Sequence, residues 1–186
     1  MLHLVRHGEV HNPDRVVYAD LPGFDLSEQG RREAAGAAAA LADEPITAVW
    51  SSPLLRAVRT AEAIAEPHGL PVRLDDRLRE WGLLGRWAGA AWAELTERFP
   101  GELEAYLAHP DDLPFSPESL GALADRMAEV VDDVGGDGDV VLVSHQDPVH
   151  ALVRRLTGMG FARFHEGKPA HAEVIHLAPG PTWERR

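Results

Sequence analysis

Five short apolar runs punctuate the chain: Met1 to Val5, Ala48 to Ser51, Val72 to Leu74, Val140 to Val143 and Val174 to Leu177, each of strand length. Between them apolar positions recur at three- and four-residue steps, the pattern of helices that bury one face. A first helix is expected from Ser27 as N-cap through the Ala-rich stretch to about Ala42. A second should open with Ser52 as N-cap and Pro53 at its first position, with Leu54, Leu55, Val58, Ala61, Ile64 and Ala65 as its stripe. A third begins at Ser116 and Pro117, carries Leu120, Leu123, Met127, Val130 and Val134, and stops at Gly135-Gly136. Asp147 and Pro148 start a last helix with Val149, Leu152, Val153 and Leu156 on its buried face and Gly158 as its stop. Strands alternating with helices predict an α/β fold. The interval from Trp81 to Phe115 breaks the pattern with aromatics and prolines, and is expected to form one or two short helices capping the sheet edge over about 81–117. Residues 178–186, rich in Pro and Gly, are expected to be a frayed tail.

Size and charge narrow this picture. A chain of 186 residues with 45% hydrophobic content supports one complete core and predicts a single domain. A net charge of −12 argues against a nucleic-acid or anionic-membrane surface, so positive charge for an anionic substrate must be concentrated locally. Cysteine is absent, which excludes disulfides, thiolate nucleophiles and Cys-ligated zinc. No apolar stretch reaches the length of a membrane span, and Met1 to Arg6 has no secretory-signal pattern, so a cytoplasmic protein is expected.

The candidate chemistry sits where strands end. His7 follows Arg6 at the end of the first strand, His145 follows the run ending at Val143-Ser144, and Arg56 lies in the first turn after Ser51-Ser52. Such positions converge on the carboxyl edge of an α/β sheet, where ligands bind and helix N-termini attract anions. Two guanidiniums match phosphate oxygens, a neutral imidazole can attack phosphorus, and a second imidazole can stabilise the transferring group. A leaving alkoxide needs a proton, for which Glu80 is the candidate and Glu9 its competitor. Gly8, Asn12 and Gln146 are candidates for substrate contact.

These segments resemble the histidine phosphatase superfamily, also called the phosphoglycerate mutase-like family. Arg6-His7-Gly8-Glu9 matches its Arg-His-Gly signature, and Leu26-Ser27-Glu28-Gln29-Gly30 the opening of its first helix. The stretch from Ser51 to Ala61 resembles its second arginine segment, Leu78-Arg79-Glu80 with Gly85, Trp87 and Gly89 its acid-bearing segment, and Val143-Ser144-His145 its second histidine. The resemblance spans about residues 1 to 158 in the family's order. It implies a three-layer α/β/α sandwich with a mostly parallel sheet, and a metal-independent phosphatase acting on a small phosphorylated metabolite. It further implies His7 as the nucleophile that becomes phosphohistidine, Arg6, Arg56 and His145 as the phosphate pocket, and Glu80 as proton donor. Alternatives are a phosphomutase or a non-catalytic phospho-ligand-binding module. The chain departs from the family pattern at Val10, with Asn12 one step early, at the longer Glu80 to Gly85 spacing, at Gln146-Asp147-Pro148, at Pro117-Glu118-Ser119 and at Arg59.

Other histidines carry no comparable support. His3, His68, His109, His165, His171 and His176 are expected at the surface or core edge. His7 with His11 and His145 with His150 have spacings that invite a metal, but neither pair has an accompanying carboxylate pattern, and neither metal nor cofactor is expected.

Overall fold

The computed structural model describes residues 1–134 and 138–186. Its strands are β1 (Leu2–Arg6), β2 (Ile46–Ser51), β3 (Val72–Leu74), β4 (Asp139–Ser144), β5 (Val174–Ala178) and β6 (Glu184–Arg185), in one six-stranded sheet ordered β3-β2-β4-β1-β5-β6. The pairings β1–β4, β2–β4 and β2–β3 are parallel; β1–β5 and β5–β6 are antiparallel. The helices are α1 (Glu28–Leu41), α2 (Leu55–Ala65), α3 (Gly82–Arg86), α4 (Leu95–Arg98), α5 (Glu102–Ala108), α6 (Leu120–Val134) and α7 (Gln146–Leu156). Each of the five apolar runs became a strand.

Alternation along β1 and β4 builds three layers, because successive strand side chains point to opposite faces. Val5, Val141 and Val143 pack with Ala37 and Leu41 of α1 and with Ala57, Ala61 and Ile64 of α2. Leu2, Leu4, Val140 and Leu142 pack with Leu123, Met127 and Val130 of α6 and with Val149 and Leu152 of α7. β4 is buried along its whole length, as its unbroken apolar run requires. No described helix is long and apolar enough to cross a membrane.

The 81–117 segment is a cap of α3, α4 and α5 rather than one or two helices. Its aromatics mostly serve packing: Trp81 and Trp87 are fully buried beside Leu83, Leu95 and Tyr106.

Three boundaries differ from the sequence expectation. α2 starts at Leu55 with Leu54 at the cap position, so Ser52 lies two residues too early to cap it; its hydroxyl is instead bonded by His145 at 2.8 Å and accepts from Leu54 N at 3.4 Å. Ser116 and Pro117 do not open α6; Ser116 Oγ bonds the Glu118 carbonyl at 2.6 Å, and Ser119 Oγ accepts from Ala122 N at 3.1 Å at the true start. The expected tail is also corrected, since Glu184–Arg185 pairs with Leu177–Ala178 and closes the sheet beyond β5. The proposed stop at Gly135-Gly136 lies outside the described residues.

The loop leaving β1 is fixed by contact with α1. Ser27 accepts from Gly30 N at 2.9 Å as the expected N-cap, and donates to Glu9 Oε1 at 2.6 Å. The backbones meet so closely that a Cβ on Gly8 would overlap the Gly30 carbonyl, and a Cβ on Gly30 the Glu9 carbonyl. Since backbone cannot yield as a flexible side chain would, Gly30→Ala is expected to destabilise the protein by roughly 1–3 kcal/mol, the usual cost of overpacking. Urea denaturation will measure it, and an unchanged midpoint would refute this account of the close approach.

Candidate active site

The sheet register delivers the site. β2, β4 and β1 are adjacent and parallel, with Arg6 opposite Ser144 and Ser51 opposite Val143. His7, His145 and Ser52 therefore leave the carboxyl edge at one level, and His7 N to Ser144 O at 3.0 Å and Ser52 N to Val143 O at 2.9 Å continue the ladder. Arg56, in the first turn of α2, reaches back under them.

Arg56 is 1% exposed and forks between both imidazoles. Its Nε donates to His7 Nε2 at 3.2 Å, and its Nη2 lies 3.2 Å from His145 Nδ1 and donates to the Ala19 carbonyl at 2.8 Å. Its guanidinium carbon stands 4.6 Å from the centre of the Tyr18 ring, a cation–π contact. Ala19 is held at φ 35°, a left-handed conformation uncommon for alanine, so the backbone is strained where its carbonyl meets this cation.

These contacts assign the tautomers. His7 Nδ1 is 2.7 Å from the Gly8 carbonyl, which can only accept, so Nδ1 carries the proton and Nε2 the lone pair. His145 Nδ1 faces the Arg56 donor, leaving its Nε2–H to donate to Ser52 Oγ at 2.8 Å. Burial, and then the Arg56 charge, hold both imidazoles well below their ordinary pKa, so both are neutral at pH 7. The two ring centres are 5.1 Å apart.

Arg6 approaches from the other side. Its Nη1 donates to the Pro169 carbonyl at 2.9 Å and its Nη2 to His171 Nε2 at 2.7 Å, while its Nε is buried without a partner. An unpaired buried donor is costly, and an anionic ligand would relieve the cost. Gln146 Nε2 also donates to the Pro169 carbonyl, at 3.3 Å.

Glu80 is buried with Oε2 3.9 Å from His145 Nδ1, and Oε1 accepts from Trp81 N at 2.9 Å. Burial first, then the nearby Asp147 carboxylate, push its pKa up to about 7. Asp147 pairs with Lys168 at 2.6 Å and accepts from the Tyr106 hydroxyl at 3.1 Å. The longer Glu80 to Gly85 spacing does not carry the acid away, because the backbone before it is clamped. Ser144 Oγ donates to the Leu78 carbonyl at 2.7 Å, and Arg126 donates to the Arg79 and Glu80 carbonyls, each at 3.0 Å, while pairing with Glu118 at 2.6 Å.

Arg6, His7, Glu80 and Gln146 line a cavity of about 260 Å³, and Arg56 and His145 lie directly behind His7. Gly8 stands beside it with both backbone groups in use, its N–H on Thr60 Oγ1 at 3.1 Å and its carbonyl on His7; it positions His7 rather than offering a donor. Asn12 does not fit the expected substrate contact: its amide bonds both backbone groups of Val16, at 2.9 and 3.2 Å, and stabilises its own loop. Glu9 is turned to Ser27 and away from the cavity. Sequence reasoning missed Tyr18, Ser52, Thr60, Asp147 and Lys168, and set His171 aside as peripheral although it lines the cavity. For a metal, the space between His7 and His145 is already served by the Arg56 cation. Among the described residues, one group of potential ligands lies together, His3, Glu44 and Asp139, with His3 shared between Asp139 and His176 at the opposite end of β1.

Comparison with known proteins supplies a family. The profile of the histidine phosphatase superfamily (branch 1) matches residues 2–182. An uncharacterised protein of Mycobacterium tuberculosis is 43% identical over 168 residues, covering 84% of this chain and 78% of that protein. Phosphoserine phosphatase 1 of Hydrogenobacter thermophilus is 33% identical over 165 residues, covering 87% and 78%. A mycobacterial glucosyl-3-phosphoglycerate phosphatase solved with VO3 superposes with a TM-score of 0.87 at 31% identity, covering 100% of this chain and 96% of that one.

The Asp147 carboxylate has a measurable effect on its neighbour. Asp147→Asn removes one negative charge beside Glu80 and frees Lys168, so the Glu80 pKa should fall from about 7 toward the ordinary carboxylate range. NMR titration of the Glu80 carboxyl carbon will report the shift, and an unmoved or raised value would contradict it.

Proposed function

The chain belongs to the histidine phosphatase superfamily, and from that premise we propose that it hydrolyses a small phosphomonoester through a phosphohistidine on His7, with no metal. The observation that carries this reading is the tautomer of His7, whose Nδ1–H is held by Gly8 and whose Nε2 lone pair faces the buried cation. In the first step Nε2 attacks phosphorus while the bond from phosphorus to the ester oxygen breaks. The Arg56 Nε–H, released from Nε2, moves to a phosphoryl oxygen, and the unpartnered Nε of Arg6 takes another. His145, held by Ser52, stabilises the charge on the transferring group.

Glu80 gives its proton to the leaving alkoxide and, as carboxylate, then takes one from the water that attacks the phosphohistidine. A pKa near 7 suits both roles, since the group is largely protonated in mildly acidic solution and returns easily to carboxylate. The position of Glu80 beside His145 favours turnover over mere holding of phosphate. The substrate is read as a small phosphorylated metabolite.

The pH dependence follows with a defined sign. The kcat/KM should fall as pH rises through about 7, where Glu80 loses its proton, and fall on the acid side only well below 6.5, where His7 is finally protonated. Glu80→Gln should lower kcat on an alkyl phosphate about 10²–10⁴-fold. The loss should be much smaller with p-nitrophenyl phosphate, whose leaving group needs little protonation. Equal losses on both esters would remove Glu80 from the acid role. His7→Ala should abolish turnover, and rapid quench of the wild type should trap an acid-labile, alkali-stable phosphate on His7; activity retained by His7→Ala would refute the reading.

A further inference from the structure

Beyond the phosphate end, the cavity changes character. Part of its wall is made by Val16, Val17, Leu84 and Trp92, and among these lining residues there is no lysine or arginine. Trp92 is 43% exposed, although the other tryptophan it meets edge-on, Trp87, is fully buried. The backbone that carries the indole is held: Trp92 N donates to the Arg15 carbonyl at 3.2 Å, and Ala91 bridges to Val16, which ties the cap to the loop that also lines the cavity. An indole half-exposed at the rim of a polar site offers a flat face against which a substrate ring can pack.

The polar wall points the same way. Glu80 and Asp147 bring carboxyl groups to it, and Lys168 is already taken by Asp147 at 2.6 Å and by the Tyr106 hydroxyl at 2.8 Å. A second anion beside the phosphoester would meet the Asp147 carboxylate and the Glu80 carboxyl, and among the described residues lining the cavity the one Lys or Arg is Arg6, which the phosphate itself engages in the proposed reaction. At about 260 Å³ the cavity has room for the phosphate and one ring, below the usual range of ligand pockets.

We infer that the substrate is the phosphate ester of an uncharged, ring-bearing alcohol, whose ring lies against Trp92, and that esters carrying a carboxylate beside the phosphate are poor substrates. The inference deepens the phosphatase reading and rests on it. It also sets the expected substrate apart from those in the names of the two phosphatases compared above, since phosphoserine and glucosyl-3-phosphoglycerate both carry a carboxylate. Trp92 here is a specificity-determining residue outside the reacting atoms.

Two measurements test it. In turnover, kcat/KM for benzyl phosphate should exceed that for phosphoserine and for 3-phosphoglycerate by about tenfold or more. Trp92→Ala should lower the ratio of benzyl phosphate to ethyl phosphate about five- to tenfold, through KM, and Trp92→Phe should restore most of it. In binding, calorimetry with benzylphosphonate and 2-carboxyethylphosphonate should show the first bound more tightly, with the difference largely lost in Trp92→Ala. If no ester is turned over but benzylphosphonate is still preferred, the phosphatase reading fails and the ring site stands. If phosphoserine or 3-phosphoglycerate is the better substrate, or if Trp92→Ala leaves the ratio unchanged, the inference is overturned.

Discussion

Everything at the carboxyl edge is arranged around one buried cation with no carboxylate against it. The guanidinium of Arg56 is almost wholly removed from water, yet its hydrogen-bonding partners are the ring nitrogens of His7 and His145 and the carbonyl of Ala19. A buried charge held only by neutral acceptors is an unfavourable state for a folded protein, and the strained backbone at Ala19 adds to it. Burial, and after it the same charge, keeps both imidazoles neutral. It also ties the fold to pH: unfolded histidines take up protons near 6.5 while His7 and His145 resist them until well below that, so acid favours the unfolded chain. Dianionic phosphate is the ligand that would offset these costs together.

The acid side is built by a separate set of contacts. Glu80 follows a short 3₁₀ turn rather than a strand, and its place depends on Arg126 of α6 and Ser144 of β4 gripping the carbonyls before it. α6 thus does more than cover one face of the sheet. Its arginine grips the chain on both flanks of the cap, the Arg79 and Glu80 carbonyls before it and Glu118 after it, so that a segment with an extra residue still presents the carboxyl to His145. The pair Asp147 and Lys168 then sets the electrostatic background of that carboxyl from the start of α7.

Much of this was legible in the chain. Strand runs and helical stripes reported the layers because burial on one or both faces leaves a period that can be read locally. Arg6, His7, Arg56 and His145 stand out as candidates because each lies next to a strand end or a helix start, and Glu80 because it stands in a short segment of recognisable spacing; the structure brings the five together. Ser52 reads as a helix cap because a serine precedes Pro53, but the helix starts three residues later and nothing local shows His145 beside it. Tyr18, His171 and Lys168 lie in loops without periodicity, and their roles come from contacts with residues far away in sequence. Asn12 was overvalued because a polar residue near a signature can as easily close its own loop.

The turn of the chain back onto β5 has a consequence for how molecules of this protein meet. Without Glu184–Arg185, the five residues of β5 would present an open row of backbone donors and acceptors to any passing strand. With it, the sheet ends at one margin in a two-residue strand bearing an ion pair from Arg185 to Glu173, and at the other in the three residues of β3, where Arg73 lies over Trp50. Short, charged margins of this kind give a neighbouring strand little to pair with. The sheet is thereby protected against growing from one molecule into the next.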